Sequence, residues 1–450
     1  MSRERDQTRA KGRTRGITSG AKKSTFPGLS QLDKEFGEVL PPISPYDPPP
    51  YSGHGPKVLI CIWELIQDLG GIINWTEHLT YGLRHLGASV TLVRIENKIY
   101  PPKASKILPV RKMTLGYTGL SHNQKSGWRF GVKNRICLHG FDWHSYANSF
   151  DLVIWTTPVP SETHLFKNWQ QVYDLKTSQI LVIHDGNLNK LYPHAYEVMS
   201  NCTAVVGVHD CAFNSVGCPP STATHAEVDP NKAYVKAPTL LIPNPQILEG
   251  RLTPDIGYSQ RKKQAVSLQT FKAWKHVDDL VRCCPYMNCN LVLAGDGMER
   301  FYMTSPDKRK PEYGTIWEDA ISCGMKFHGF IPEVERDILL RESRLLVDPS
   351  WSRTYAQYGS HFNRTFVDGI IAGCLPAGRD LLMDGNSFFP KELYVTLPYD
   401  SSPEDLARDI DAAVLTISYK DYIDRVEALR RIVVEKFDAK KIAKKYLEFI

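Results

Sequence analysis

No run of 18 uncharged apolar residues occurs in the chain, so no membrane-spanning helix is expected. The N-terminus carries charge but no apolar stretch of the kind a secretory signal needs, and none is expected there. The GxGxxG dinucleotide fingerprint is missing, as are a glycine-flanked serine elbow and a separated pair of acids suited to hydrolysis. Those absences argue against nicotinamide-type cofactor binding and against the common hydrolases. A DxD triplet in a strand-end loop is also missing, because Asp409-Ile-Asp411 falls in a predicted helix. A required metal is therefore not expected. The ten cysteines are irregularly spaced and make no disulfide framework. Cys283, Cys284 and Cys289, with the distant Cys323, invite a zinc reading but lack a second well-spaced ligand pair, and reduced thiols are the simpler expectation.

What is present is an ordinary globular composition, 42% apolar and 23% charged, over 450 residues, enough for two cored domains. The net charge of +6 is unevenly placed. Residues 1–25 hold eight basic and two acidic side chains, a surplus equal to the whole formal excess. This stretch is rich in Gly, Ser and Thr and is expected to be disordered. It would serve equally as an arm for a polyanion such as DNA or as an extension with no role. Residues 26–56 are proline-rich and read as an extended lead-in. Asn74, Asn201 and Asn363 open glycan-acceptor triplets that are expected to stay bare.

Order starts at Lys57, where KVLICI reads as a buried strand. A glycine turn at Gly70-Gly71 follows, then an amphipathic helix over 76–86 and a strand over 88–95. This is a βαβ unit, the repeating piece of a doubly wound parallel sheet. Gly70 and Gly71 before a helix N-terminus would let backbone amides meet a phosphate or a sugar, or would simply make a tight turn. Residues 97–148 interleave aromatic and basic side chains, among them Lys112, Lys125, Arg129, Lys133 and Arg135. That mixture suits a surface gripping phosphates and stacking on bases, or an insertion packed by its own aromatics. Strands follow at 151–155 and 179–183, the latter ending in His184 and Asp185. An imidazole and a carboxylate at a strand's carboxyl end lie where open α/β sheets bind ligands. A second strand over 204–208 repeats the ending with His209 and Asp210.

The polar segment 246–263 reads as an interdomain linker, between a first domain over 57–245 and a second over 264–420. Lys272 and Lys275 occupy the loop after the second domain's first strand, where a diphosphate could be met. Further strands are predicted near 290–294, 326–331 and 344–349. A short helix over 365–372 carries Asp368 and is stopped by Gly373. Asp368 could accept hydrogen bonds from ribose hydroxyls, or be a solvated helix acid. Residues 421–450 read as charged C-terminal helices broken near Phe437 that could return to the first domain. The expected architecture is α/β, with two Rossmann-like doubly wound domains facing a central cleft.

Taken in order, KVLICIWELIQDLGG, LVLAGDG, KFHGFIP, RLLVDPSW and VDGIIAGCLPAG resemble the motifs of retaining glycosyltransferases of the GT-B fold, of the GT4-like kind, over about residues 57–450. The resemblance implies that Lys275 contacts the donor diphosphate, that Asp368 stands for the family's ribose-binding glutamate, and that Gly71 lies near donor and acceptor. Two positions depart from the pattern: Ser360 stands near the place of the paired glutamate, and Gln269 replaces the arginine, with Lys272 available to supply the charge. A fainter resemblance, through QTFKAWK and IHDGN, is to phage α-glucosyltransferases acting on hydroxymethylated bases in DNA. It implies that His184 and Asp185 are the catalytic pair.

The implied activity is transfer of a sugar, with retention, from a UDP-sugar to a hydroxyl of a modified base in double-stranded DNA. The expected location is the cytoplasm, that of the host if the protein is viral. Two alternatives stand beside it. One is a GT-B enzyme acting on a glycan, lipid or protein; the other is a non-catalytic nucleic-acid-binding protein on a degenerate scaffold.

Overall fold

The structure is a computed structural model that describes residues 54–63, 71–96, 108–109, 134–137, 142–156, 172–184, 201–209, 237–252, 257–269, 275–295, 319–329, 331, 333–350, 364–379 and 388–450. Runs of apolar, often β-branched residues form strands buried on both faces, as parallel sheets require. Leu152–Trp155 (β5) has every side chain buried, and in Ser178–Ile183 (β6) only the first residue is partly exposed. With Lys57–Trp63 (β1), Ser89–Glu96 (β2), Leu108–Pro109 (β3), Asn134–Cys137 (β4), Ala204–Gly207 (β7) and Thr239–Leu241 (β8), they make an eight-stranded sheet ordered β3-β4-β2-β1-β5-β6-β7-β8. All its pairings are parallel except β3 with β4.

The second sheet is parallel throughout. It contains Lys262–Leu268 (β9), Asn290–Ala294 (β10), Lys326–Phe327 (β11), Ser343–Asp348 (β12), Leu375–Arg379 (β13) and Val395–Leu397 (β14), ordered β11-β10-β9-β12-β13-β14. In both sheets the first strand lies inside: β1 between β2 and β5, β9 between β10 and β12. The carboxyl ends of β1 and β9 therefore lie where strand order reverses, which is where this class of sheet binds ligands. Two Rossmann-like α/β halves, as the sequence implied, are what the chain folds into.

Helix Gly71–His85 (α1) starts five residues earlier than the apolar spacing indicates; Ile72 and Ile73, β-branched and weak helix formers, give no local sign of it. Gly87, at φ 85°, takes the left-handed conformation that ends α1. The region 97–148, read as an insertion without clear periods, contributes the edge strand β3, its neighbour β4 and helix Trp143–Ala147 (α2). Asn134–Cys137 is too short and polar to announce a strand; pairing with β2 creates it.

On the second half lie helices Val277–Cys283 (α3), Glu333–Glu342 (α4), Arg364–Ala372 (α5), Pro403–Asp411 (α6) and Tyr419–Lys436 (α7). At Phe437 the chain breaks, Asp438 caps the next helix by accepting from the amides of Lys440 and Lys441, and Ala439–Leu447 (α8) follows. Helix α8 packs against α1 of the first half. Its Ile442, Ala443 and Tyr446 are fully buried with Trp75, Leu79 and Leu83, each large side chain contributing roughly 1.5–3 kcal/mol. Gly82 permits this approach, since a Cβ there would lie 2.1 Å from the Ala439 carbonyl oxygen. Two chain segments cross between the halves side by side. Gln246 N–H donates to Phe437 O at 2.7 Å, and Ala439 N–H donates to Gln246 O at 2.9 Å.

Candidate functional site

His184 is the first residue beyond β6, where the buried run Ile180–Ile183 delivers it to the sheet's carboxyl end. Its ring meets Trp75 of α1 edge-on, with centroids 5.0 Å apart and planes at 85°. Trp75 in turn meets Tyr446 of α8 at 6.0 Å. His184 is partly exposed as a residue, but its Nε2 is buried and makes no hydrogen bond. Burial, and then the neighbouring His209, push its pKa down to about 3, so the imidazole is neutral at physiological pH. The repeated His-Asp endings prove unequal. His209 turns its Nε2–H to the His184 carbonyl at 3.1 Å and so holds the backbone from which His184 projects.

At the carboxyl end of the second sheet, three strand ends press together. Gly295 N–H donates to Gly329 O at 2.7 Å, and a Cβ on Gly295 would fall 1.7 Å from Gln269 O. Lys275 stands just before α3 and is buried, 8% exposed. His276 beside it takes φ 48°, a left-handed backbone uncommon for a side-chain-bearing residue, at the N-cap of α3.

Asp368 projects from α5 into a lattice of arginines. Arg251 Nη2 donates to its Oδ1 at 2.8 Å, while Arg336 Nη1 and Arg364 Nε approach Oδ2 at 3.4 and 3.8 Å. Arg251 and Arg336 also hold Asp337 of α4. Burial raises the Asp368 pKa, but the guanidinium groups of Arg336, Arg251 and Arg364 outweigh it and hold the carboxyl well below its ordinary value.

Helix α1 joins these two places. Trp75 and His78, three residues apart, share a helix face. His78 Nε2 accepts from Arg364 Nη2 at 2.9 Å. His78 Nδ1 lies 3.0 Å from Pro245 O and 3.2 Å from the Ile247 backbone nitrogen. Helix α1 thus carries Trp75, which meets His184, and one turn on His78, which meets Arg364, a neighbour of Asp368.

Of the residues singled out from sequence, His184, Lys275 and Asp368 are described with their side chains. Gly71 is the first residue of α1. Arg135 lies in β4, its backbone paired with Arg94 of β2. Gly70, Asp185, Lys272, Lys112, Lys125, Arg129 and Lys133 lie outside the described residues. Trp75, His78, Arg251, Arg336, Arg364 and Tyr446 were not anticipated. Their roles come from partners far along the chain, and no local motif marks them.

Among the described residues, one grouping of side chains comes within ligand distance of itself: His276, Asp278 and Asp279, with ligand atoms within 4.8 Å of one another. Asp279 is already paired with Arg379 at 2.8 Å. The zinc reading of the cysteines fails for Cys283, Cys284 and Cys289, which are packed in the second half's core, with burial raising their thiol pKa values. No helix among the described residues is long and apolar enough to cross a membrane.

No protein-family model matches the chain, and no curated protein matches it. Solved structures do. Anabaena HepE in complex with UDP-glucose is 12% identical, covers 87% of this chain and 98% of its own, and superposes with a TM-score of 0.57. Sucrose-phosphate synthase from Thermosynechococcus elongatus is 15% identical, with coverages of 88% and 98% and a TM-score of 0.57. An α-glucosyltransferase in complex with UDP and a 13-mer DNA containing an HMU base is 11% identical, with coverages of 88% and 99% and a TM-score of 0.57. What this likeness shows is the fold: the chain has the GT-B fold, two Rossmann-like halves built on the plan those three share.

Proposed function

We propose that the protein is a retaining glycosyltransferase that moves a sugar from a UDP-sugar to a hydroxyl acceptor. The observation that carries the reading is His184: a neutral imidazole at a strand's carboxyl end, its Nε2 making no hydrogen bond to the protein, beside the joint between two GT-B halves. That nitrogen is buried, so it would accept from, or donate to, a substrate hydroxyl once the groups covering it move aside. Solved structures of the same fold with UDP or UDP-glucose support the donor class. Lys275, after the central strand β9, is assigned to the donor diphosphate, and Lys272 and the backbone of Gly70 and Gly71 are assigned with it from the sequence. Positive charge there offsets the negative charge that grows as the bond from the anomeric carbon to phosphate breaks. In front-face attack the departing phosphate oxygen takes the acceptor's proton, so no protein nucleophile is assigned. Asp185 is assigned with His184 to orient hydroxyls.

Asp368 is assigned to the place of the family's ribose-binding acid. To bind ribose, its carboxylate must exchange part of its arginine contact for a hydroxyl. No metal is assigned to the reaction.

The acceptor proposed first is a hydroxymethylated base in phage DNA. The basic segment 1–25, the candidate contacts Lys112, Lys125, Arg129, Lys133 and Arg135, and the α-glucosyltransferase solved with HMU-containing DNA support it. HepE and sucrose-phosphate synthase, equally alike in fold, favour a second reading in which a sugar or another small hydroxyl compound accepts. The test is transfer of radiolabelled sugar from a panel of UDP-sugars to DNA with normal or hydroxymethylated pyrimidines, and to free sugars and sugar phosphates. Label on modified DNA, lost in Lys275→Ala, is expected. Label on a free sugar instead would replace the acceptor, and failure on every donor and acceptor, alongside tight DNA binding, would favour the non-catalytic binding protein.

A further inference from the structure

The His184 imidazole meets the Trp75 ring, and its Nε2 has no hydrogen-bond partner. Trp75 presents its edge at 5.0 Å, and behind it Tyr446 packs at 6.0 Å with planes at 71°. Trp75 is 1% exposed and Tyr446 is 0% exposed. Trp75 Nε1 and the Tyr446 hydroxyl, like His184 Nε2, are buried and make no hydrogen bond. Three polar atoms left unmatched in one contact chain are unusual, since buried polar groups are nearly always paired. What fixes these rings is therefore shape and burial. Tyr446 comes from the last helix, which the second half supplies: α7 packs there, the chain crosses at Phe437–Ala439, and α8 docks on α1.

We propose that Trp75 and Tyr446 are positioning residues, and that helix α8 buttresses His184 by setting the Trp75 indole against its imidazole. This rests on the reading of His184 as a substrate-facing group. The C-terminal helix then completes the first half's share of the site, and the ring of Tyr446, not its hydroxyl, is the part that acts. Because the hydroxyl has no partner to lose, Tyr446→Phe should substitute for the native residue, whereas Tyr446→Leu should not.

The experiment uses the full chain with 13C-labelled histidine and follows the His184 resonance by NMR against pH, with His184→Gln for assignment. In the wild type the resonance is expected to titrate near pH 3, and in Tyr446→Phe likewise. In Tyr446→Leu and Trp75→Leu it should shift by two units or more toward 6.5 as the imidazole gains water. In parallel, sugar transfer by Tyr446→Leu should fall in kcat on the order of tenfold to a hundredfold, with Tyr446→Phe restoring it. If either leucine variant does not fold, the other and Trp75→Phe carry the comparison by the same resonance. An unmoved His184 titration in a folded leucine variant would overturn the proposal whatever the transfer assay reads. Absence of turnover by the wild type with a responsive His184 would instead count against the donor chemistry and leave the buttress standing.

Discussion

His184 in the first half and Asp368 in the second are both ionisable groups near the same joint, kept in opposite states by opposite means. His184 faces rings and is left neutral, without a hydrogen bond at Nε2. Asp368 faces Arg251, Arg336 and Arg364 and is kept charged, with both oxygens occupied. Burial alone therefore does not mark a reactive group. What distinguishes them is whether the protein has already used the group's bonding capacity. Asp368 fastens α5 to the linker arginine and to α4, while His184 keeps a bond in reserve.

The largest expected consequence is in stability. Asp368→Ala leaves buried arginines uncompensated and should cost about 3–5 kcal/mol in denaturant unfolding. His184 should be felt next, through pH. Its folded pKa of about 3 lies below the unfolded value of 6.5, so the unfolded chain takes up the proton first. Stability from this group is complete above about pH 6.5 and falls by about 1.4 kcal/mol per unit as pH drops toward 3. Asp368 acts in a lower window: its contribution is complete above roughly pH 4, the ordinary carboxylate value, and is lost only below it. Unfolding measured between pH 6.5 and 4 should thus show a slope that His184→Leu flattens and Asp368→Asn leaves in place. Gly82→Ala should cost about 1–3 kcal/mol by pushing α8 off α1, and heat unfolding would read it. Smallest of all, His184→Leu at neutral pH should change stability by less than about 1 kcal/mol, because its Nε2 has no hydrogen bond to lose.

The two groups also differ in how visible they were beforehand. His184 follows an apolar run that can only be a buried strand, so its place at a sheet's carboxyl end could be read from local pattern. The same holds for Lys275 after β9 and for Gly373, whose φ of 83° ends α5. The state of Asp368 could not be read. Arg251 is 117 residues away, in a segment that reads as polar linker, and nothing in its neighbours marks it as buried. Tyr446 is hidden for a related reason. The break near Phe437 allowed a return to the first half, but nothing local showed that Ile442, Ala443 and Tyr446 would form the face buried there. Strand β4 needed its neighbour β2 to exist at all.

The central claim is that the two halves form a site for a sugar nucleotide, with Lys275 on the phosphates and His184 on a hydroxyl. The measurement that tests it most directly is UDP release from a panel of UDP-sugars, with and without acceptors, by wild type, Lys275→Ala and His184→Ala. Release by the wild type from one donor, reduced by a hundredfold or so in both variants while their unfolding midpoints stay close to the wild type, is the expected result. Release unchanged in both variants, or none from any donor, would contradict it.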